Sequence, residues 1–145
     1  MKPIDILLIE DDADDIELLE DALKSNNVLY SLNAIKEGDR VSPYLATLKN
    51  LPDIIILDFN LPKLHGKEVL LDIKALDKFK DLPLIVLTTS ALQEDILFAK
   101  NKGADHFITK PTSVADFNKA IATIVDTAAI SWSIPVLPLK SCWSL

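Results

Sequence analysis

Residues 53–62 read Asp-Ile-Ile-Ile-Leu-Asp-Phe-Asn-Leu-Pro, and no other stretch of the chain constrains its fold as tightly. Ile54, Ile55, Ile56 and Leu57 follow one another without a polar break and stop at Asp58, with Pro52 and Pro62 at the flanks. A run this short, rich in β-branched side chains and bounded by prolines, reads as a strand buried on both faces. Asp58 then stands where a central strand leaves the core, and in open α/β sheets that carboxyl edge is where ligands bind. Taken alone, an Asp at such a place more often just opens a turn. The rest of the chain has to decide between the two readings.

In chain order, residues 4–9 form a first strand. Asp12 caps a helix over 13–25, with Asp14, Asp15 and Glu17 near its positive end and Ile16, Leu19, Ala22 and Leu23 as its apolar stripe. Residues 28–35 alternate as a second strand, and 39–48 make a second helix with Pro43 in its first turn, where a missing N–H does least harm. After the opening stretch comes a helix over 67–77, carrying Val69, Leu70, Ile73 and Leu76 at helical spacing. Residues 83–88 are a fourth aliphatic strand, 93–102 a helix stopped by Gly103, and 105–109 a short fifth strand. Ser113 or Thr112 caps a last helix running to 127.

Five β/α repeats with short connections predict a doubly wound α/β sandwich: a parallel five-stranded sheet covered on both faces. The flavodoxin-like order 2-1-3-4-5 sets strands one and three side by side at the switch point. Glu10 and Asp11, ending strand one, then lie next to Asp58. Three carboxylates in one crevice repel one another unless a cation joins them. Mg2+ suits them, being hard and satisfied by carboxylate, carbonyl and water oxygens. Lys110, after strand five, brings an ammonium to the same edge, and Thr88, ending strand four, a hydroxyl. Such a set suits phosphoryl transfer onto Asp58.

Composition removes other classes. The 145 residues suit one domain. A net charge of −7 argues against nucleic-acid binding, which needs a basic face. Two His and one Cys leave no zinc site and no disulfide framework. The start lacks a secretory signal, and no segment approaches the roughly 18 uninterrupted apolar residues of a membrane span. A cytoplasmic protein is expected, without an output domain in this chain.

With these motifs in place, the chain resembles the receiver domain of two-component response regulators over residues of about 4 to 127. The resemblance rests on Ile-Leu-Leu-Ile-Glu10-Asp11-Asp12, Ile-Ile-Leu-Asp58-Phe-Asn60-Leu-Pro62, Val-Leu-Thr88-Thr89-Ser90-Ala91 and Phe107-Ile-Thr-Lys110-Pro111, in that order and each ending a strand. It implies that Asp58 accepts a phosphoryl group from a kinase histidine. Asp11 would be the direct Mg2+ ligand, Glu10 its acidic partner, and Asn60 would offer a backbone carbonyl. Thr88 and Lys110 would contact the phosphoryl oxygens. A cis Lys110–Pro111 peptide would aim Lys110 inward. Phe107 would be the aromatic switch, turning inward as Thr88 moves toward the phosphoryl group and altering the face of the fourth helix, fifth strand and fifth helix. The protein would catalyse its own phosphorylation and hydrolysis but turn over no separate metabolite.

Two positions depart from the family pattern. His65 stands before Gly66, where many receivers carry an acid or amide, and a solvated loop histidine is the reading adopted. Thr89 is bulkier than the Ala or Gly frequent there, which predicts slow loading from small phosphodonors. Asp12, Asp14 and Asp15 are assigned to capping and the helix dipole, Asp53 and Asp105 to turns or strand ends, and His106 to structure. Beyond a receiver domain over 1–129, residues 130–145 form an apolar arm with Trp132, Pro135, Pro138 and Trp143. That ending is similar to the small response regulators paired with bacterial phytochromes. A phytochrome-type sensor histidine kinase and a homodimer, built through the switch face and the arm, are therefore the expected partners, with Trp132 folding back on its own domain as the alternative for the arm.

Three rival classes fit the residues less well. A haloacid-dehalogenase-like phosphatase places its Asp after strand one with a second Asp two residues on, whereas here Glu10-Asp11 ends that strand and position 60 is Asn. A flavin carrier needs a hydroxyl- and Gly-rich loop after strand one, which the chain lacks. A receiver-like module that is never phosphorylated fits poorly with a full set of site residues.

Overall fold

A computed structural model describes residues 2–130; the C-terminal arm expected from the sequence lies, apart from Ile130, outside the described residues. Five strands, β1 (Ile4–Ile9), β2 (Tyr30–Ile35), β3 (Ile54–Leu57), β4 (Leu84–Thr88) and β5 (His106–Thr109), form one parallel sheet in the order β2-β1-β3-β4-β5. Between and after them run helices α1 (Ala13–Ser25), α2 (Val41–Thr47), α3 (Gly66–Ala75), α4 (Gln93–Asn101) and α5 (Val114–Ala129), with a single 3-10 turn at Gly38–Arg40 ahead of α2. Fold and strand order are those the sequence predicts.

The aliphatic run does what its composition requires. All four side chains of β3 are fully buried, and the period of two divides them between two cores. Ile55 and Leu57 pack with Leu7 and Ile9 against Val41, Leu45, Val69, Leu70 and Ile73 of α2 and α3. Ile54 and Ile56 pack with Ile6 and Leu8 against Leu19, Leu23, Ile121 and Ile124 of α1 and α5. Each such side chain contributes about 1.5–3 kcal/mol of burial, so β3 is clamped from both sides.

Register then fixes the site. Ile9 pairs with Leu57, and the Asp58 N–H donates to the Ile9 carbonyl at 3.0 Å, so Glu10 and Asp58 leave the sheet together. Thr88 pairs with Thr109, and the Lys110 N–H donates to the Thr88 carbonyl at 2.7 Å. On the other side of the crevice Gly66 opens α3 and bonds its N–H to the Phe59 carbonyl at 2.9 Å. A Cβ there would stand 2.4 Å from both the Asp58 carbonyl oxygen and Phe59 Cα, so only glycine permits this approach.

Candidate functional site

Glu10, Asp58 and Thr88 are buried at the carboxyl edge, while Asp11 is exposed beside them. One carboxylate oxygen each from Glu10, Asp11 and Asp58 can be chosen so that all three lie within 4.8 Å of one another. Asp58 Oδ1 accepts the Asn60 N–H at 3.0 Å, and Asp58 Oδ2 accepts from Lys110 Nζ at 2.9 Å. Lys110 also contacts Glu10 Oε1 at 2.6 Å and Asp15 Oδ2 at 2.7 Å. The Asn60 side-chain amide points to the β4 end, donating to Thr89 Oγ1 at 3.1 Å and, more weakly, to Thr88 Oγ1 at 3.4 Å.

These surroundings divide the two buried carboxyls. Burial pushes Glu10 up to about 7; the neighbouring Asp58 charge adds to this, while Lys110 opposes it. Burial pushes Asp58 up as well, but the Asn60 N–H, the Lys110 ammonium, Glu10 and the Thr88 hydroxyl outweigh it and hold Asp58 below the usual carboxylate range. The pair therefore keeps its negative charge on Asp58, at the position a nucleophile needs. Against Lys110 alone, the four carboxylates Glu10, Asp11, Asp15 and Asp58 leave an excess of negative charge. An all-oxygen, mostly anionic donor set of this kind fits a hard divalent cation.

Most predicted site residues thus meet in one crevice: Glu10, Asp11, Asp58, Asn60, Thr88 and Lys110. Phe107 lies behind it rather than in it. Its ring is 2% exposed and meets Phe59 edge to face at 6.0 Å, so it is turned inward in this structure. One expectation is corrected. No peptide bond among the described residues is cis, Lys110–Pro111 included. The inward aim of Lys110 needs no such bond, because three carboxylates draw its ammonium into the crevice.

Three participants escaped the sequence reading. The dipole of α1 accounts for Asp15 locally, yet it reaches Lys110. Bulk alone is what the sequence predicts for Thr89, yet it accepts the Asn60 amide. His65, read as a solvated loop residue, caps α3: its Nδ1 accepts the Lys67 N–H at 3.1 Å, and its ring lies 6.3 Å from that of Phe59. From the first turn of α3, Lys67 pairs with Asp95 of α4 and stands 5.4 Å from the Phe98 ring centre.

A doubly wound sheet whose switch point gathers an acidic cluster, a hydroxyl and an ammonium defines a receiver-type module. The family model described as the response regulator receiver domain matches residues 6–122, and the chain belongs to that family. It is 32% identical over 124 residues to response regulator Rcp1 of Synechocystis sp., a match that spans 82% of this chain and 84% of that protein. Among solved structures, the phosphorylated cyanobacterial phytochrome response regulator RcpA superposes with a TM-score of 0.79 at 30% identity, covering 92% of this chain and 98% of that one. The Mn2+-bound form of Rcp1 gives 0.75 at 30% identity, covering 94% and 100%.

Proposed function

We propose that this protein is a stand-alone response regulator that takes a phosphoryl group from a sensor histidine kinase onto Asp58 and signals through phosphorylation-dependent protein–protein contacts. The observation that carries the reading is the state of Asp58: buried, held charged by Lys110, Thr88 and the Asn60 N–H, and grouped with Glu10 and Asp11. A carboxylate oxygen of Asp58 attacks phosphorus, the P–N bond of the kinase phosphohistidine breaks, and the departing imidazole keeps that bond's electron pair on its ring nitrogen. The product is an acyl phosphate on Asp58. Water later attacks that phosphorus, releases inorganic phosphate and returns the carboxylate.

Glu10, Asp11 and Asp58, with the Asn60 backbone carbonyl, would hold Mg2+, which when bound supplies charge neutralisation for the phosphoryl oxygens. Lys110 follows the developing charge from the Asp58 carboxylate to a phosphoryl oxygen, and the Thr88 hydroxyl donates to another. Phe107 acts as the switch residue: its inward ring accompanies a Thr88 engaged at the crevice. The similarity to the phytochrome response regulator RcpA supports a phytochrome-type kinase and light as the stimulus. A homodimer through α4, β5, α5 and the arm over 130–145 is supported by exposed Leu92, Leu97 and Val114 on or beside those helices. No helix among the described residues is long and apolar enough to cross a membrane, which fits a cytoplasmic protein. No metabolite other than the phosphodonor is consumed.

Intact-mass spectrometry after incubation with acetyl phosphate and Mg2+ tests the reading. Wild type gains one phosphoryl group and Asp58→Asn gains none; equal labelling of the two proteins refutes Asp58 as the acceptor.

A further inference from the structure

Asp15 holds a contact that its place on α1 does not require. A carboxylate in the first turn serves the helix dipole from any outward rotamer, and its exposed neighbour Asp14 already does so. Asp15 instead turns toward β5, where its Oδ2 lies 2.7 Å from Lys110 Nζ. An ammonium has three N–H donors. Those of Lys110 meet three carboxylates from three different elements: Glu10 at the end of β1, Asp58 at the end of β3 and Asp15 on α1. The Lys110 side chain borders a small cavity of about 40 Å³ between α1 and α5, walled by Leu19, Leu87, Pro111 and Phe117 with Glu10 and Asp15.

The three partners are not equivalent. Glu10 and Asp58 belong to the acidic group that fits a divalent cation, whereas Asp15 does not. An ammonium held only by Glu10 and Asp58 sits among the oxygens a cation needs and repels it at short range. A third carboxylate, on α1 and outside that acidic group, draws the ammonium toward α1 and offsets that repulsion. We propose that Asp15 is a positioning residue: it holds the Lys110 ammonium on the α1 side of the crevice, so that Glu10 and Asp58 accept a divalent cation while Lys110 stays within reach of the phosphoryl group. The inference deepens the reading of the crevice as a metal-assisted phosphoacceptor site and rests on it.

The test is Mg2+ binding to the metal-free full chain, followed by isothermal titration calorimetry with no phosphodonor present. Asp15→Asn weakens Mg2+ binding about fivefold, and the loss runs through Lys110: in a Lys110→Met background the same change alters affinity by less than about twofold. Lys110→Gln provides the second background if Lys110→Met does not fold. Asp14→Asn, which removes the same charge one residue away, stays within about twofold of wild type. Equal factors in both backgrounds, an Asp15→Asn protein that binds like wild type, or an equal loss in Asp14→Asn each overturn the positioning role. Wild type that binds no Mg2+ is a different failure, since it removes the reading of the crevice itself.

Discussion

At the amino edge of the sheet Asp53 and Asp105 are met by backbone N–H groups; at the carboxyl edge Glu10, Asp11 and Asp58 face one another. Asp53 Oδ2 accepts the Asp5 N–H at 2.8 Å, and its own N–H returns to the Asp5 carbonyl at 2.8 Å. Asp105 Oδ2 accepts the Leu84 N–H at 2.9 Å, with its N–H on the Leu84 carbonyl at 2.8 Å. Each closes a small ring between neighbouring strands and satisfies a backbone donor that the sheet leaves over. Even there, burial and the nearby Asp53 charge lift the Asp5 carboxyl, against the pull of Lys2. At the other edge the amides are too few, so Lys110 is drawn in among the carboxylates. The residue type is the same at both edges. What satisfies it tells structure from function.

The comparison is tested most severely at Gly66, which touches only the carboxyl edge. Gly66→Ala forces a methyl group against the Asp58 and Phe59 backbone and is expected to cost about 3 kcal/mol in urea unfolding. Phosphoryl loading should fall with it, because the same backbone carries Asp58. Next come the amino-edge acids. Asp53→Ala and Asp105→Ala each strand a partly buried N–H and should each cost about 1–3 kcal/mol of stability. At a temperature where the variants are folded, loading of Asp58 from acetyl phosphate should match wild type; a change in that rate breaks the division between the edges.

A pH series sharpens it. The Glu10 carboxyl titrates near 4.5 when unfolded and about 7 when folded. The folded state therefore binds the proton more tightly, so this group's stabilising effect is complete below the lower value and is lost as pH rises to the upper one. Asp58 is shifted the opposite way, and its effect fades only below the ordinary carboxylate range. In EDTA, thermal unfolding should show stability falling between about pH 4.5 and 7, and Glu10→Gln should flatten that slope. The smallest effect is expected at Thr89. Thr89→Ala removes the acceptor of the Asn60 amide and the bulk beside the crevice. Loading from acetyl phosphate should speed up about threefold, the scale of one hydrogen bond; an unchanged rate removes Thr89 as a gate.

These contrasts follow how far the chain could be read. Local signals carried the elements well: α1 begins and ends where Asp12 and the apolar stripe put it, and Asp12 Oδ1 does accept the N–H groups of Asp14 and Asp15. Limits shifted where a turn and an element share residues. β2 starts at Tyr30 rather than Val28, because the Val28 N–H is spent on the Leu23 carbonyl closing α1. The second helix was read from residue 39, where the chain makes a 3-10 turn before α2. In the crevice, Glu10, Asp11, Asp58, Thr88 and Lys110 were legible because each ends a strand and the strand order brings the ends together. Asp15 was not. A sufficient local explanation hid a contact between residues 95 apart in the chain. Asn60 enters the site through the resemblance, but its side-chain bond to Thr89 was hidden for a related reason, since hydrogen bonds between side chains on two loops leave no periodic trace. The resemblance implies a cis Lys110–Pro111, whereas the pull of three carboxylates on Lys110 is visible only once the fold is built.

Asp58, within its acidic group, is proposed to be where this protein takes up a phosphoryl group. Beryllofluoride mimics that group on a carboxylate without a kinase, so its binding with Mg2+ probes Asp58 alone. Amide spectra of wild type are predicted to change around residues 58–60, 88–90 and 107–110, while Asp58→Asn stays as it was. Spectra of wild type that are the same with and without beryllofluoride and Mg2+ would contradict it.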